Sequence, residues 1–381
     1  MAPLGVAKSI ITLAGGEPPY EGNTTSADLL WHLKKYEFGT STATVSGGFN
    51  VNGVTLAMEG SKVEADTTLS GNLNVNSSTA DSLGSIVRYE SNLTINSGVT
   101  LSTSVRKRGL YLFINGDLTV DGTITMHDRG ADGQAEQAVQ INNGSGDFKV
   151  AGSTTIATNG SAAGGASGNT GGAGSNTAGA LTSGGGGAGG NGCASGGAGA
   201  SGSSFTGGSG GGGHGRSNYG CGSSGGAAGT LGNAGGNGGN GHNNNWSQSS
   251  GGSGGTGNPG GSAGTGYQSS SSNGYAGQDG TGGLLVIYAT GNITVGSSGY
   301  ILTTGQQGSS GDLPFCGGNC DSGGGGSSGG GILVAICGGT YTNNGTVSSA
   351  GGVQSGAGSN CSSCYGRAGG AGGLLVGGGY K

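Results

Sequence analysis

Residues 92–101 read NLTINSGVTL, and residues 117–126 read DLTVDGTITM. Both open on Asn or Asp, continue as apolar–polar–apolar, turn at a glycine, and alternate again. Alternation with period two marks short half-buried strands, and the Gly/Asn/Ser clusters mark turns. The pattern recurs as DFKVAGSTTI at 147–156, and as Asn292-Ile293-Thr294-Val295 followed by Gly299 and Ile301. Asn344-Gly345-Thr346-Val347 reads as a weaker fifth copy.

Apolar runs precede several copies: LYLFI at 110–114, LLVIY at 284–288 and ILVAIC at 332–337. Leu374-Leu375-Val376 is a last, truncated run. Such runs do not alternate, which fits strands buried on both faces. A recurring strand–turn–strand unit cannot bury its own apolar face, so copies must stack. The expected fold is all-β and irregular: a β-solenoid-like or stacked β-repeat array with very little α-helix. The alternate Leu, Ile and Val residues should point inward.

Long glycine-rich blocks interrupt the array. The largest runs from about 160 to 282, and smaller ones follow at 305–331 and 350–373. The chain holds 101 glycines, 8% charged residues and a net charge of −5. Unperiodic glycine-rich composition normally signals disorder. Here the low charge gives little self-repulsion, and the glycines fall in triplets. Residues 251–262 read GGS GGT GNP GGS, and 235–243 read GGN GGN GHN. Three residues per turn is the polyproline II geometry, which makes no internal hydrogen bonds. Its backbone groups need partners on neighbouring segments. Two bare faces per turn let such helices pack closely, joined by N–H···O=C bonds and weak Cα–H···O contacts. The expectation is therefore an inserted polyglycine II helix bundle, with Ala, Ser, Asn and Thr pointing outward or sitting at turns.

Four regions follow: an N-terminal cap or docking segment at 1–45, β repeats at 46–159, the polyglycine insertion at 160–282, and strands with further glycine-rich loops at 283–381. Ser26-Ala27-Asp28 before Leu29, Leu30, Leu33 and Tyr36 reads as one short capped helix. The N-terminus lacks the pattern of a secretory signal. No apolar run approaches the roughly 20 residues of a membrane span. Arg106-Lys107-Arg108 is too short a basic track for nucleic acid.

The triplet runs with aromatic-bearing turns resemble the receptor-recognising adhesins at the tail-fibre tips of T-even-like bacteriophages. In that family a polyglycine II sandwich carries host-contacting loops at its end. The β-repeat part looks like the shafts of other phage fibre and spike proteins. The resemblance implies an external virion protein, assembled in the host cytoplasm. It would bind a host-surface glycan or outer-membrane protein, join other virion proteins through its N-terminal region, and stand on a fibre that is often a homotrimer. Glycine-rich mycobacterial surface proteins and small polyglycine II antifreeze proteins share the triplets. The former's characteristic N-terminal domain is missing here, and no extended regular threonine array is visible in the sequence.

Large side chains are rare in the glycine blocks, and a glycine bundle has little room to bury them. Phe205, His214, Arg216, Tyr219, Trp246, Tyr267, Tyr275, Phe315, Tyr365 and Arg367 are the candidate receptor contacts. Aromatic residues and Arg dominate binding hot spots. The alternative is that they plug the bundle's ends or cover the β array. Gly241–Gln248 (GHNNNWSQ) breaks the triplet register and is the favoured loop.

The seven cysteines leave one unpaired. Cys316 with Cys320, Cys361 with Cys364, and Cys193 with Cys221 are candidate disulfides. A zinc site from Cys316, Cys320, Cys361 and Cys364 is the alternative. Cys337, ending an apolar run, should be a buried thiol. Asp117, Asp121, Asp128 and Asp132 are either solvated turn residues or a calcium set.

No cofactor motif is present, and a non-enzymatic role is expected. The many GxGxxG matches are chance at this glycine content. His32, His127, His214 and His242 sit in no nucleophile or metal motif. Glu59, Glu64, Asp66, Glu90 and Asp117 are the raw material outside the glycine blocks for a glycosidase-like carboxylate pair. A purely structural capsid or tail fibre, and a polysaccharide-cutting spike, are the competing functions.

Overall fold

The computed structural model describes residues 43–51, 54–63, 65–75, 84–131, 173–175, 183–190, 196–202, 206–213, 216–217, 220–221, 280–308, 323–356 and 365–379. The helix expected near residues 26–37 and the repeat at 147–156 lie outside them. Among the described residues every element is a β-strand.

A hairpin of β1 (Ala43–Val51) and β2 (Val54–Val63) opens the array. The chain then circulates through three sheets. The first circuit continues through β3 (Thr67–Leu69) and β4 (Leu73–Asn74). The second is β5 (Gly84–Tyr89), β6 (Leu93–Ile95) and β7 (Thr100–Ser102). The third is β8 (Leu110–Ile114), β9 (Leu118–Val120) and β10 (Thr123–Thr125). A two-residue ribbon, β11 (Arg216–Ser217) with β12 (Gly220–Cys221), lies within the large insertion. The fourth circuit is β13 (Leu284–Ala289), β14 (Ile293–Val295) and β15 (Tyr300–Leu302). The fifth is β16 (Ile332–Cys337), β17 (Tyr341–Asn343) and β18 (Thr346–Ser348), and β19 (Leu374–Gly377) begins a sixth.

Each sheet collects one strand per circuit. The orders are β1-β2-β5-β8-β13-β16-β19, β3-β6-β9-β14-β17 and β4-β7-β10-β15-β18. Apart from the antiparallel β1–β2 pair, the neighbours within these three sheets run parallel. This is a solenoid-like stack. The large insertion leaves no gap in it: Leu110 pairs directly with Leu285, and Thr123 with Tyr300.

The expected burial pattern is present. Leu93, Ile95, Leu118, Val120, Ile293 and Val295 point inward and are buried. Each such side chain contributes about 1.5–3 kcal/mol when taken from water. The apolar runs β8, β13 and β16, and the more mixed β5, are buried at every residue. Their inner rows, such as Leu112, Ile287 and Ala335, join the core. Their outer rows, such as Tyr111, Val286 and Val334, are buried as well. On that outer face Phe113 stacks with Tyr288 at 5.8 Å, and the Arg88 guanidinium lies 4.5 Å from the Phe113 ring centre.

Asn and Asp at the first corner form a ladder. The Asn92 carboxamide oxygen accepts the Asp117 N–H at 2.8 Å, the Asp117 carboxylate accepts the Asn292 N–H at 2.7 Å, and the Asn292 oxygen accepts the Thr340 N–H at 2.8 Å. Asp66 takes the Asn92 N–H at 3.1 Å. The fifth repeat is therefore one corner away from its sequence reading: Thr340, not Asn344, continues the ladder, and Val347 pairs with Ile301. The Asn-Gly-Thr-Val string mimics the motif but forms the second corner and third strand. A second correction concerns threonine. Thr68, Thr94, Thr119, Thr294 and Thr342 are mutual register partners and make one continuous file on the second sheet.

The glycine-rich segments leave and re-enter at one corner, between the third strand of a circuit and the first strand of the next. Segment 323–331 is at their centre. Its N–H groups address three neighbours in rotation. Gly326 and Gly329 donate to Gly211 and Gly208, Ser327 and Gly330 to Arg367 and Gly370, and Ser328 and Gly331 to Gln306 and Thr303. Its carbonyls accept from Gly184, Gly187, Gly190, Gly282 and Gly352. Neighbouring donors thus point in three directions, and donors three apart point the same way.

Serine departs from expectation here. Ser209, Ser327 and Ser328 are buried inside the packed segments rather than turned outward. The Ser327 hydroxyl donates to the Val353 carbonyl and accepts the Gly308 N–H; Ser355 donates to the Gly325 carbonyl at 2.7 Å. The Ser327 and Ser355 hydroxyls each supply an extra bond between backbones, so serine is a wiring residue at these two positions.

Candidate functional site

Of the predicted contact residues, Phe205, His214, Tyr219, Trp246, Tyr267, Tyr275 and Phe315 lie outside the described residues. So do Cys193, Cys316, Cys320, Cys361 and Cys364. Arg216 and Cys221 are backbone partners across the β11–β12 ribbon. Cys337 is a buried free thiol, as its position in an apolar run implied. Burial pushes its pKa up.

Tyr365 is exposed on the surface of the packed segments, and Arg367 beside it is half-buried. The Ser355 N–H donates to the Gly366 carbonyl at 3.2 Å, which joins their segment to 349–356. On that neighbour Val353 is 65% exposed, the highest value among the large apolar side chains described. The Gln307 carboxamide donates to the Gln354 carbonyl at 2.8 Å and ties a third segment to the same surface. Val353, Gln354, Gln307 and Tyr365 therefore crown three adjoining segments. Val353 and Tyr365 are thus exposed on two hydrogen-bonded segments, and Gln307 ties a third segment to the first of them. The backbone wiring beneath fixes where these side chains emerge.

Tyr365 was among the sequence candidates and Val353 was not. The signal was present: GGVQSG places one large aliphatic residue among glycines. Tyr300, exposed on the outer face of the third sheet, was also missed, because a strand aromatic reads as core. Its register partners Thr123 and Thr346 flank it.

The candidate carboxylates have structural partners. Asp66 and Asp117 belong to the ladder. Asp66 also accepts from the Ser91 hydroxyl, and this bond, with the Asn92 N–H, lowers its pKa. Glu90 is ion-paired with Arg88 and accepts from the Asn115 carboxamide at 3.4 Å. Glu59 is on β2, and Glu64 lies outside the described residues.

His127 gains a partner that sequence could not supply. Its Nδ1 lies 2.9 Å from both the carbonyl and hydroxyl oxygens of Thr304, and its Nε2 is 3.2 Å from Asp128 Oδ2. Asp128 has φ 59° and faces Gly280, itself at φ 95°. The cluster pins the exit of the third circuit to that of the fourth. Among the described residues no group of three or more His, Cys, Asp or Glu is arranged to hold a metal ion.

No family model, curated protein or solved structure matches this chain.

Proposed function

We propose that this chain is a non-enzymatic host-surface adhesin of a virus particle, built as a β-solenoid carrying a polyglycine II sandwich. The observation that carries the reading is the rotation of hydrogen-bond donors along 323–331. A three-residue repeat with partners on every side is what the polyproline II geometry offers when Cβ atoms are absent. Such a bundle holds its loops on a frame that needs no large apolar core. The sequence resemblance to phage tail-fibre adhesins adds the expectation of receptor-binding tips. The exposed side chains of Val353 and Tyr365 are of types that suit contact with a glycan or protein loop.

The test is binding of the purified chain to candidate host cells. Trp246→Ala, Tyr219→Ala and Tyr365→Ala should each weaken binding at unchanged thermal stability. Variants that bind as well as the parent sink the loop-adhesin reading and leave a purely structural fibre. Release of oligosaccharide from the host envelope would replace it with the spike enzyme.

A further inference from the structure

The third sheet turns one face away from the core. Ile124 and Ile301 are buried in the core and Val347 packs against it, so the residues on either side of each turn outward. One outward column reads Thr100, Thr123, Tyr300 and Thr346 in register. The next holds Thr125, Leu302 and Ser348. β7, β10, β15 and β18 carry no Lys, Arg, Asp, Glu or His. The face is rich in hydroxyls, free of charge, and carries one exposed ring.

Tyr300 differs from the aromatic residues of the first sheet. Tyr89, Tyr111, Phe113 and Tyr288 are buried, whereas Tyr300 is 44% exposed. Leu302, two residues on and about 6.6 Å along the strand, widens the apolar ground beside it. The surrounding hydroxyls are not all committed. Thr125 accepts the His127 N–H at 2.9 Å, and Ser348 accepts the Ala350 N–H at 3.2 Å. Thr123 and Thr346 are the direct register partners of Tyr300, one on each side, and their hydroxyls have no partner among the described residues. Branching at Cβ restricts both side chains to few rotamers. Two placed hydroxyls that the fold does not use therefore flank one solvent-facing ring.

This set of groups fits the chemistry of an uncharged sugar. A pyranose ring has an apolar face that stacks on an aromatic ring, and hydroxyls at its edge that exchange hydrogen bonds with threonine. A carboxylated or phosphorylated chain would meet no cation on these four strands. Successive rungs are about 4.8 Å apart, close to the length of one pyranose residue in an extended chain. A glycan running along the stack axis thus meets one rung per sugar.

We propose that the outer face of the third sheet binds an extended, uncharged polysaccharide. One sugar stacks on Tyr300, and its two neighbours hydrogen-bond Thr123 and Thr346. The site belongs to the stack and not to the glycine-rich segments, so it does not rest on the adhesin reading and would serve a structural fibre equally.

The experiment is native affinity electrophoresis of the 381-residue chain. The gels contain soluble galactomannan or hydroxyethylcellulose, both extended neutral chains, or polygalacturonate as the charged control. At least one neutral polymer should retard the parent, and polygalacturonate should not. Tyr300→Ser should lose about tenfold in affinity, as a central aromatic contact does. Tyr300→Phe keeps the ring and should bind nearly as the parent does. Thr123→Val with Thr346→Val keeps the shape, removes both hydroxyls and should also weaken binding. All these side chains face outward, so unfolding midpoints should stay at the parent's value. A parent that neither neutral polymer retards overturns the proposal. So does a Tyr300→Ser chain retarded like the parent, a Tyr300→Phe chain that loses as much as Tyr300→Ser, or equal retardation by polygalacturonate.

Discussion

Gly210 and Gly326 approach so closely that a Cβ on Gly210 would overlap the Gly326 carbonyl oxygen. The neighbouring bond from the Gly326 N–H to the Gly211 carbonyl, 2.7 Å, fixes that approach. Cohesion between these segments comes from backbone pairing, and pairing requires contact that side chains would block. Gly210→Ala should therefore cost on the order of 3 kcal/mol, the range of overpacking a tight interior. Gly71, in a corner of the first circuit, has nothing within 4 Å of an added Cβ and no left-handed φ. Gly71→Ala should be neutral or stabilise by about 0.4–1 kcal/mol through the unfolded chain. Denaturant midpoints of the two variants give the comparison. Equal effects would mean that glycine acts here only through chain entropy.

The corner ladder makes a second, smaller prediction. Asn92→Ala removes the acceptor for the Asp117 N–H, and a lost hydrogen bond of this kind costs about 1 kcal/mol. Asn344→Ala, in the string that looks like a ladder residue but is not one, should stay within about 0.5 kcal/mol. The order of the two unfolding midpoints checks the register of the fifth circuit.

The strands, their inward rows and the doubly buried runs were legible because each follows from period two within a few residues. The fifth circuit was misread because Asn-Gly-Thr-Val fits two corners equally well, and only the pairing of Val347 with Ile301 decides between them. The threonine file was invisible for another reason. Thr119 and Thr294 are neighbours only because the large insertion returns to the same core. The burial of Ser327 was hidden as well, since a triplet pattern gives spacing and not which neighbour each face meets. Of the candidate contact surface, Tyr365 stood out as an aromatic among glycines. Its relation to Val353 and Gln307 depends on three segments brought side by side.

Asp66 sets an acid-side prediction. The Ser91 hydroxyl and then the Asn92 N–H hold its pKa below the ordinary carboxylate range in the folded state. The stability it contributes is present above the unfolded-state value and is lost as pH falls through the folded one. Asp66→Asn keeps an acceptor oxygen and removes the titration. Its unfolding midpoint should fall less than the parent's between pH 6 and pH 3. Parallel decline of the two proteins would show that Asp66 does not couple to folding.

Tyr89 and Tyr341 set the alkaline limit. Burial pushes both phenols up to about 12, with the nearby Cys337 adding to the effect at Tyr341. A raised folded-state value means that their contribution is complete below the ordinary phenol range near 10. It is then lost as pH climbs from there through about 12. Tyr341 packs partly covered against the core, and Tyr89 lies within it. Phenolate absorbance should therefore rise in two stages, the second together with loss of the β circular dichroism. Tyr341→Phe should remove amplitude from the second stage and move the dichroism change to higher pH. A phenolate signal lost wholly from the first stage would place Tyr341 in solvent and contradict its packing against the core.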